Sequence, residues 1–390
     1  MQNQQTHDIL PDQSHDERAR QAFAQSLKLH LASKVVQGNR DVYERRVRPD
    51  FERQQGRPPQ DRREVATGMQ DEPYYQLWGA LQRTSQEISW NSVMDSIERQ
   101  LPDLAARAKP PQNPKGSLTL DAAIEQPGYL SAMDIHCMPG GYAGERMADD
   151  VSAGALYDRG VYIYAMGGFG PDNGAMGRTT IDVFQQLFPD RTTDHAPKRI
   201  LDLGCTVGHS TLPWAEAYPG AEVHAIDVAA PVLRYGHARA EAMGVEVHFR
   251  QANAEALPYE DGSFDLIVSH ILLHETSTKA IRKILAECHR LLKPGGVTLH
   301  VDLSLYGGMD PFEAFMLNWD TTHNNEPFWT SFREMDPKTL MTEAGFAPED
   351  AVSAHISRTG LAAHVFSDNQ DSGGRKNWQC IGAVKSEAVV

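Results

Sequence analysis

Asp202 follows the apolar pair Ile200-Leu201 and leads into Leu203-Gly204-Cys205-Thr206-Val207-Gly208. The pattern is a short strand ending in an acid, then a glycine turn, then a helix. Open α/β sheets bind ligands at the carboxyl ends of their strands, near the point where strand order reverses. Gly204 and Gly208 let the backbone approach a ligand closely, and Asp202 stands where a cationic amine can pair with it. Counting from Gly204, the next two glycine positions of a G-x-G-x-x-G dinucleotide loop hold Thr206 and His209, so that pattern is not met. A pyrophosphate would also be a poor neighbour for Asp202. A second acid, Asp227, ends the run AEVHAID 25 residues on. At a strand tip it can grip both ribose hydroxyls, a logic that NAD enzymes share. Third comes Gln251-Ala252-Asn253-Ala254-Glu255-Ala256-Leu257-Pro258 before DGSFDLIVSH; the amide of Asn253 can hydrogen-bond an adenine edge. Fourth is LLKPGG, a helix stop before a strand.

The stretch FDLIVSHILLHETS holds His270, His274 and Glu275. A histidine here has a proton affinity suited to general-base work near neutrality; a structural or cofactor-proximal histidine is the other reading. His270 and His274 are four apart, so on a helix they can share an ion, with Glu275 beside them and His136, Cys137, His300 and Asp302 joining in space. No tight ligand motif supports this, and no metal is expected. The segments GALYDRGVYIYAMGGFGPDNGAMGR and GGMDPFEAFMLNWDTTHNNEPFWTSF mix aromatics with Asn, Asp and His. They suit a small acceptor with an apolar body and polar handles, and Tyr157, Tyr164, Trp319 and His323 are the candidate substrate residues. Such aromatics also serve simply to pack a lid.

These groups need a scaffold. From Lys198 onward short apolar runs alternate with helical spacing: RILDLG, AEVHAID, EVHFRQAN, FDLIVSH, VTLHVDLS, DAVSAHIS and NWQCIGAVK are seven strands. The alternation predicts an α/β, Rossmann-like, doubly wound sheet. The last two strands are joined without an obvious helix, so the last runs antiparallel. Upstream, Phe23, Leu27, Leu31 and Val35 lie four apart and predict one face of a helix. Leu77, Trp78 and Leu81, then Trp90, Met94, Ile97 and Leu101, continue helical spacing until Pro102. The first residues read as a frayed polar tail. AKPPQNPKGS (108–117) is a linker, because its prolines lack amide donors. Three regions follow: 1–115, a helical cap or dimerisation element; 116–197, a glycine- and aromatic-rich segment over the site; and 198–390, the sheet domain with a lid insertion at 304–334.

The chain of 390 residues is 41% hydrophobic with a formal charge of -15. Its acidity opposes a nucleic-acid partner. The exception is 40–63, where eight arginines outnumber five acids; that stretch reads first as a solvated helical face and second as an anion site. No run of about 18 apolar residues predicts a membrane span, and the N-terminus lacks the build of a signal peptide. Four cysteines without close pairing point to a reducing, cytoplasmic setting.

The four cofactor elements, in this order, resemble those of the class I S-adenosylmethionine (SAM)-dependent methyltransferases. The resemblance covers residues 198–303 closely and 155–386 in outline. It implies that Asp202, Gly204, Cys205, Thr206 and Gly208 line the methionine and ribose end of SAM. Asp227, with Val228, takes the ribose hydroxyls, Asn253 and Ala254 the adenine, and Ser269 and His270 lie beneath the sulfonium. Members often carry Asp where Asn253 stands; Asn can still accept through its carbonyl oxygen. FDLIVSHILLHETS resembles the part of small-molecule O-methyltransferases that ends in a catalytic histidine and an acid. On that alignment His274 is the base and Glu275 the acid, although the usual flanking aromatics are Leu272 and Thr276 here. The expected function is methyl transfer from SAM to a small organic acceptor, at O or S rather than N or C. A SAM-binding sensor or partner subunit without chemistry stays open, as does a macromolecular acceptor. A homodimer through the N-terminal helices is the expected assembly if those helices do not cover the site.

Overall fold

Strands buried on both faces must be apolar along their whole length, and Ile200, Leu201 and Leu203 meet that demand with no exposure to solvent. In the computed structural model, which describes residues 3–191, 195–357 and 377–386, they form the centre of an eight-stranded sheet. Its strands are β1 (Ser117–Thr119), β2 (Arg199–Leu203), β3 (Glu222–Asp227), β4 (His248–Gln251), β5 (Phe264–His270), β6 (Leu292–Leu303), β7 (Ala351–Ser357) and β8 (Asn377–Val384). Their spatial order is β1-β4-β3-β2-β5-β6-β8-β7. β8 runs antiparallel to both neighbours and the other pairs are parallel. The seven expected strands are all present, and the last is the antiparallel one. The eighth, β1, was too short to show a period; it pairs Ser117 with His248 on the edge of β4. The helix-free connection expected between β7 and β8 lies outside the described residues.

The chain leaves β2 for β3 on one side, while β5 takes the other. The reversal puts Gly204 and His270 side by side at the carboxyl edge, where ligands bind such sheets. Helices cover both faces. Thr278–Leu291 shows why they form: Ser277 caps it by accepting from the Ala280 amide, and Ala280, Ile281, Ile284, Leu285, Cys288 and Leu291 fall on one buried stripe. Each large side chain buried there stabilises by about 1.5–3 kcal/mol.

The N-terminal region packs on this domain rather than fraying from it. Gln4 and Ile9 are buried, and Gln5 N donates to Pro171 O at 2.8 Å, which corrects the expectation of a frayed tail. Helix His15–His30 starts with a capping box from Ser14 and Glu17. Its buried face is Glu17, Gln21, Ala24 and Lys28, one position round from the expected Phe23 and Leu27; Phe23 is 61% exposed, whereas Leu31 of the same expected stripe is buried. The cause is the partner surface. Helix Pro73–Glu98 offers Ser85, Ser89, Ser92 and Ser96, small residues that admit polar side chains. Gln21 donates to Ser92 O and Lys28 to Gln86 Oε1, and a buried polar group is tolerated when so bonded. Leu77 also points outward, whereas Trp78 is buried. Of the arginines in 40–63, Arg40, Arg46, Arg48, Arg53, Arg57, Arg62 and Arg63 pair with carboxylates, as a solvated face would.

Gly160 fixes how closely the N-terminal helices lie. A Cβ there would sit 2.2 Å from Cζ3 of Trp90, so the ring of Trp90 rests directly on helix Ser152–Tyr164. The insertion at 304–334 forms three short helices, Pro311–Leu317, Trp319–His323 and Trp329–Arg333. Phe312, Phe315, Met316 and Trp319 pack with Tyr43, Val65, Tyr75 and Trp78 of the N-terminal helices.

Candidate functional site

A deep cavity opens at the carboxyl edge of β2, β3 and β5. Asp202, Gly204, Cys205, Thr206, Asp227, Val228, Asn253, Ala254 and His270 line one end, and His136, Tyr142, Tyr157, Tyr164, Trp90, His274, Glu275 and Trp329 the other. Gly204 takes φ of 67°, and a Cβ there would meet Leu272 at 2.6 Å. The residue must therefore be glycine.

Asp227 receives the Thr206 amide on one oxygen and the Ala229 amide on the other, each at 3.0 Å. Burial pushes its carboxyl up to about 6 despite those donors. The carbonyl oxygen of Asn253 accepts from Glu255 N at 2.9 Å, which leaves the amide donors for a ligand. Asp202 accepts from Thr211 Oγ1 at 2.5 Å and meets His270 Nδ1 at 3.3 Å. Trp214 Nε1 donates to His270 Nε2, so the network assigns the ring proton to Nδ1, facing Asp202.

His270 ends β5 and His274 lies in a single 3₁₀ turn, Leu273–Glu275. The two therefore do not share a helical face, and the helical pairing considered for them is not formed. His300 is buried between Ser269 and Thr298, and Cys137 faces Asn324. Ser269 thus points into the sheet rather than the cavity. Gly208 lies behind the wall against Leu212 and Phe249. Trp319 and His323 are also elsewhere: Trp319 packs edge-on to Trp78, with His323 beside it. The acceptor-end residues Tyr157 and Tyr164 do line the cavity.

The acceptor end holds a buried ionic network. His274 Nδ1 lies 2.5 Å from Asp302 Oδ1, while its Nε2 has no hydrogen-bond partner. Burial works against a charge on His274, but Asp302 more than offsets it and the imidazole is held above its ordinary value. Glu275 Oε1 accepts from Tyr142 OH at 2.9 Å and meets His136 Nε2 at 2.8 Å. Nδ1 of His136 pairs with Glu326. Burial opposes the charge of His136, yet the two glutamates hold it protonated well above the usual range. Burial likewise opposes the charge of Glu275, but His136 keeps its carboxyl low; burial raises that of Glu326. Gln86 and Trp90 of the N-terminal helix both donate to His136 O. Asp302, Glu326, Tyr142 and Trp90 carry this wall; from sequence Asp302 entered only as a possible ion ligand, and the other three were not site candidates. Only Asp302 left a direct signal, an acid at the carboxyl end of the strand VTLHVDLS.

A second buried network braces the cofactor end. Asp158 Oδ1 bonds His209 Nε2 at 2.8 Å and Oδ2 bonds His7 and Tyr235 at 2.9 Å. His209 stacks on Tyr157, ring centroids 5.6 Å apart.

A family model described as a methyltransferase domain matches residues 200–296. The chain is 43% identical over 107 residues to a demethylmenaquinone methyltransferase of Thermus thermophilus, covering 27% of this chain and 48% of that protein. It is 31% identical over 166 residues to an uncharacterised methyltransferase of Synechocystis, covering 42% of this chain and 73% of the relative. This chain belongs to the class I SAM-dependent methyltransferases. It also resembles a malonyl-[acyl-carrier protein] O-methyltransferase of Pseudescherichia vulneris, 32% identical over 181 residues, covering 44% of this chain and 66% of that one. The chain thus spans about half the length of the Thermus relative, and the likeness to this methyltransferase family lies in the sheet domain. The cofactor of the family is SAM, and the cavity fits it: Gly204 lets a ligand lie on the backbone, and Asp202 and Asp227 offer carboxylates to an amine and a diol. Among the described residues no helix is long and apolar enough to cross a membrane.

Proposed function

We propose that the chain transfers the methyl group of SAM to a small organic acceptor, at oxygen or sulfur. The carrying observation is that one cavity joins the Asp202–Asp227–Asn253 end to the orphan Nε2 of His274. SAM supplies an electrophilic methyl group on a sulfonium. Asp202 holds its ammonium, Asp227 its ribose hydroxyls, and the amide of Asn253 donates to the adenine ring. Cys205, Thr206, Val228 and Ala254 give the packing surface, and His270 keeps Asp202 oriented. Tyr142, Tyr157, Tyr164, Trp90 and Trp329 exclude water from the acceptor and align it with the methyl carbon. Asp302 fixes the tautomer of His274, whose Nε2 takes the acceptor's proton. A base that takes the acceptor's proton suits a hydroxyl, a thiol or an acidic carbon.

The name of one relative, which acts on demethylmenaquinone, supports a small acceptor; another acts on a malonyl group borne by a carrier protein. The N-terminal helices use most of their apolar surface within the chain, which favours a cover over a dimer; light scattering separates the two. The test of function is a metabolite extract incubated with methyl-labelled SAM and read for mass gain, beside calorimetry with SAM and S-adenosylhomocysteine. Tight NADH binding without SAM binding would sink the reading.

A further inference from the structure

His136 and His274 come from distant parts of the chain and are held in the same way. Nδ1 of His274 bonds Asp302, and Nδ1 of His136 pairs with Glu326. In both rings the other nitrogen, Nε2, converges on Glu275 Oε1, at 2.8 Å from His136 and 3.9 Å from His274. The side chain of His274 is 0% exposed and that of Glu275 9%. Yet His274 Nε2 and Glu275 Oε2 have no hydrogen-bond partner. A carboxylate on the far nitrogen is the usual means of orienting a metal-bound imidazole.

We propose that His136 Nε2, His274 Nε2 and the carboxylate of Glu275 form a site for one first-row divalent cation, with Glu326 and Asp302 as positioning residues for the two imidazoles. Two nitrogens and a carboxylate suit Zn²⁺, Fe²⁺ or Mn²⁺; Ca²⁺ takes six to eight oxygens instead. At metal–ligand distances of about 2.1 Å, adjacent donors stand about 3.0 Å apart in an octahedron and about 3.4 Å in a tetrahedron. The separations of 2.8 and 3.9 Å from Glu275 Oε1 to the two imidazole nitrogens bracket those values. Charge agrees as well, since three buried carboxylates, Glu275, Glu326 and Asp302, face the two imidazoles. His136 would release its Nε2 proton on binding the ion.

Three protein ligands leave the remaining positions open toward the cavity. An ion there would hold the acceptor oxygen or sulfur and lower its proton affinity, taking that task over from His274. The pair His270 and His274 does not make this site. His136 does, carried in by the backbone that Gln86 and Trp90 hold, so the N-terminal helix completes it.

The test uses the full chain stripped with a chelator, without SAM or any acceptor, so its outcome is independent of methyl transfer. Calorimetric titration with Zn²⁺, Mn²⁺ and, without oxygen, Fe²⁺ is expected to show one ion per chain, with no response to Ca²⁺. The Co²⁺ form is expected to show d–d bands without thiolate charge transfer. His136→Ala and Glu275→Gln are expected to weaken binding by more than about a hundredfold, and Glu326→Gln and Asp302→Asn by about ten- to a hundredfold. His248→Ala, on β4 where its ring neighbours that of His224, is expected to leave binding unchanged. No one-to-one binding by the unaltered chain overturns the site, as does binding that survives His136→Ala or vanishes with His248→Ala. A salt bridge of His136 to two glutamates and nothing more would give that first result. Thermal melts report the folding of each variant, and the Co²⁺ spectrum of the unaltered chain stands where a variant fails to fold.

Discussion

His274 Nδ1 and Asp302 Oδ1 lie 2.5 Å apart with both side chains closed to solvent, and the pairing of β5 with β6 sets that distance. Ser269 faces His300 and His270 faces Val301 across the two strands, so Asp302 comes level with the turn that carries His274. Asp302→Asn keeps the shape but lets an amide N–H face Nδ1, which moves the ring proton to Nε2 and removes the lone pair from the cavity. Turnover is expected to fall by about a hundred- to ten-thousandfold with SAM affinity unchanged. Adding His274→Ala should cost little more, because the two act as a unit. Kinetics on an acceptor found by label transfer check this, and a fully active Asn variant would remove the dyad from the reaction.

Asp227 gives a pH dependence to cofactor binding. Its carboxyl titrates at about 6, and ribose hydroxyls donate best to the ionised form. SAM affinity, read by calorimetry from about pH 5 to 8, is expected to rise with pH through about 6 and then level. Asp227→Asn should bind more weakly with a flat profile. Without ligand the sign reverses. A buried acid raised above its unfolded value of 3.8 contributes less stability as pH climbs from about 4 to about 6. A flat profile in the unaltered chain would show that this carboxylate does not bear on SAM.

Gly160→Ala tests how tightly the N-terminal helices lie on the sheet domain. In an open helix the change would stabilise by about 0.5–1 kcal/mol. Here the new Cβ meets Trp90, so the expected sign is opposite, a loss of about 1–3 kcal/mol. The thermal midpoint should drop by several degrees, with a change in tryptophan fluorescence. A raised midpoint would mean that Trp90 moves aside without cost.

Gln4 and His7 donate to Asp158, which in turn holds His209 beside the cofactor loop. Replacing both with alanine removes two partners of a buried carboxylate that keeps His209 and Tyr235, and is expected to cost about 1–3 kcal/mol and to weaken SAM binding. Phe23→Ser, at an exposed position, should do neither. Deleting 1–115 goes further, since it removes Trp90 from the cavity wall; aggregation or loss of activity is the expected result. A truncated chain that stays soluble and active would refute the covering role.

The sheet and the cofactor loop were legible because each rests on a local pattern, an apolar run followed by an acid or a glycine. Helix His15–His30 was legible as a helix but not in its orientation: apolar spacing chose Phe23, whereas hydrogen bonds to a serine-lined partner buried Gln21 and Lys28. The wall at the acceptor end could not be read from spacing. His136, Glu275 and Glu326 are far apart in the chain and meet only through tertiary packing. Trp319 and His323 belong to the right insertion, but the apolar side of that insertion serves the N-terminal helices.

β8 slots between β6 and β7 although it is made after both. While the ribosome is still synthesising residues 377–384, β6 therefore carries a bare edge along Val297–Leu303, a run that is buried throughout in the finished sheet. An exposed apolar edge invites pairing with other chains. The nascent polypeptide thus waits for β8 with this apolar edge uncovered. Premature stop codons after β6 and before β8 should yield inclusion bodies rather than a smaller working enzyme.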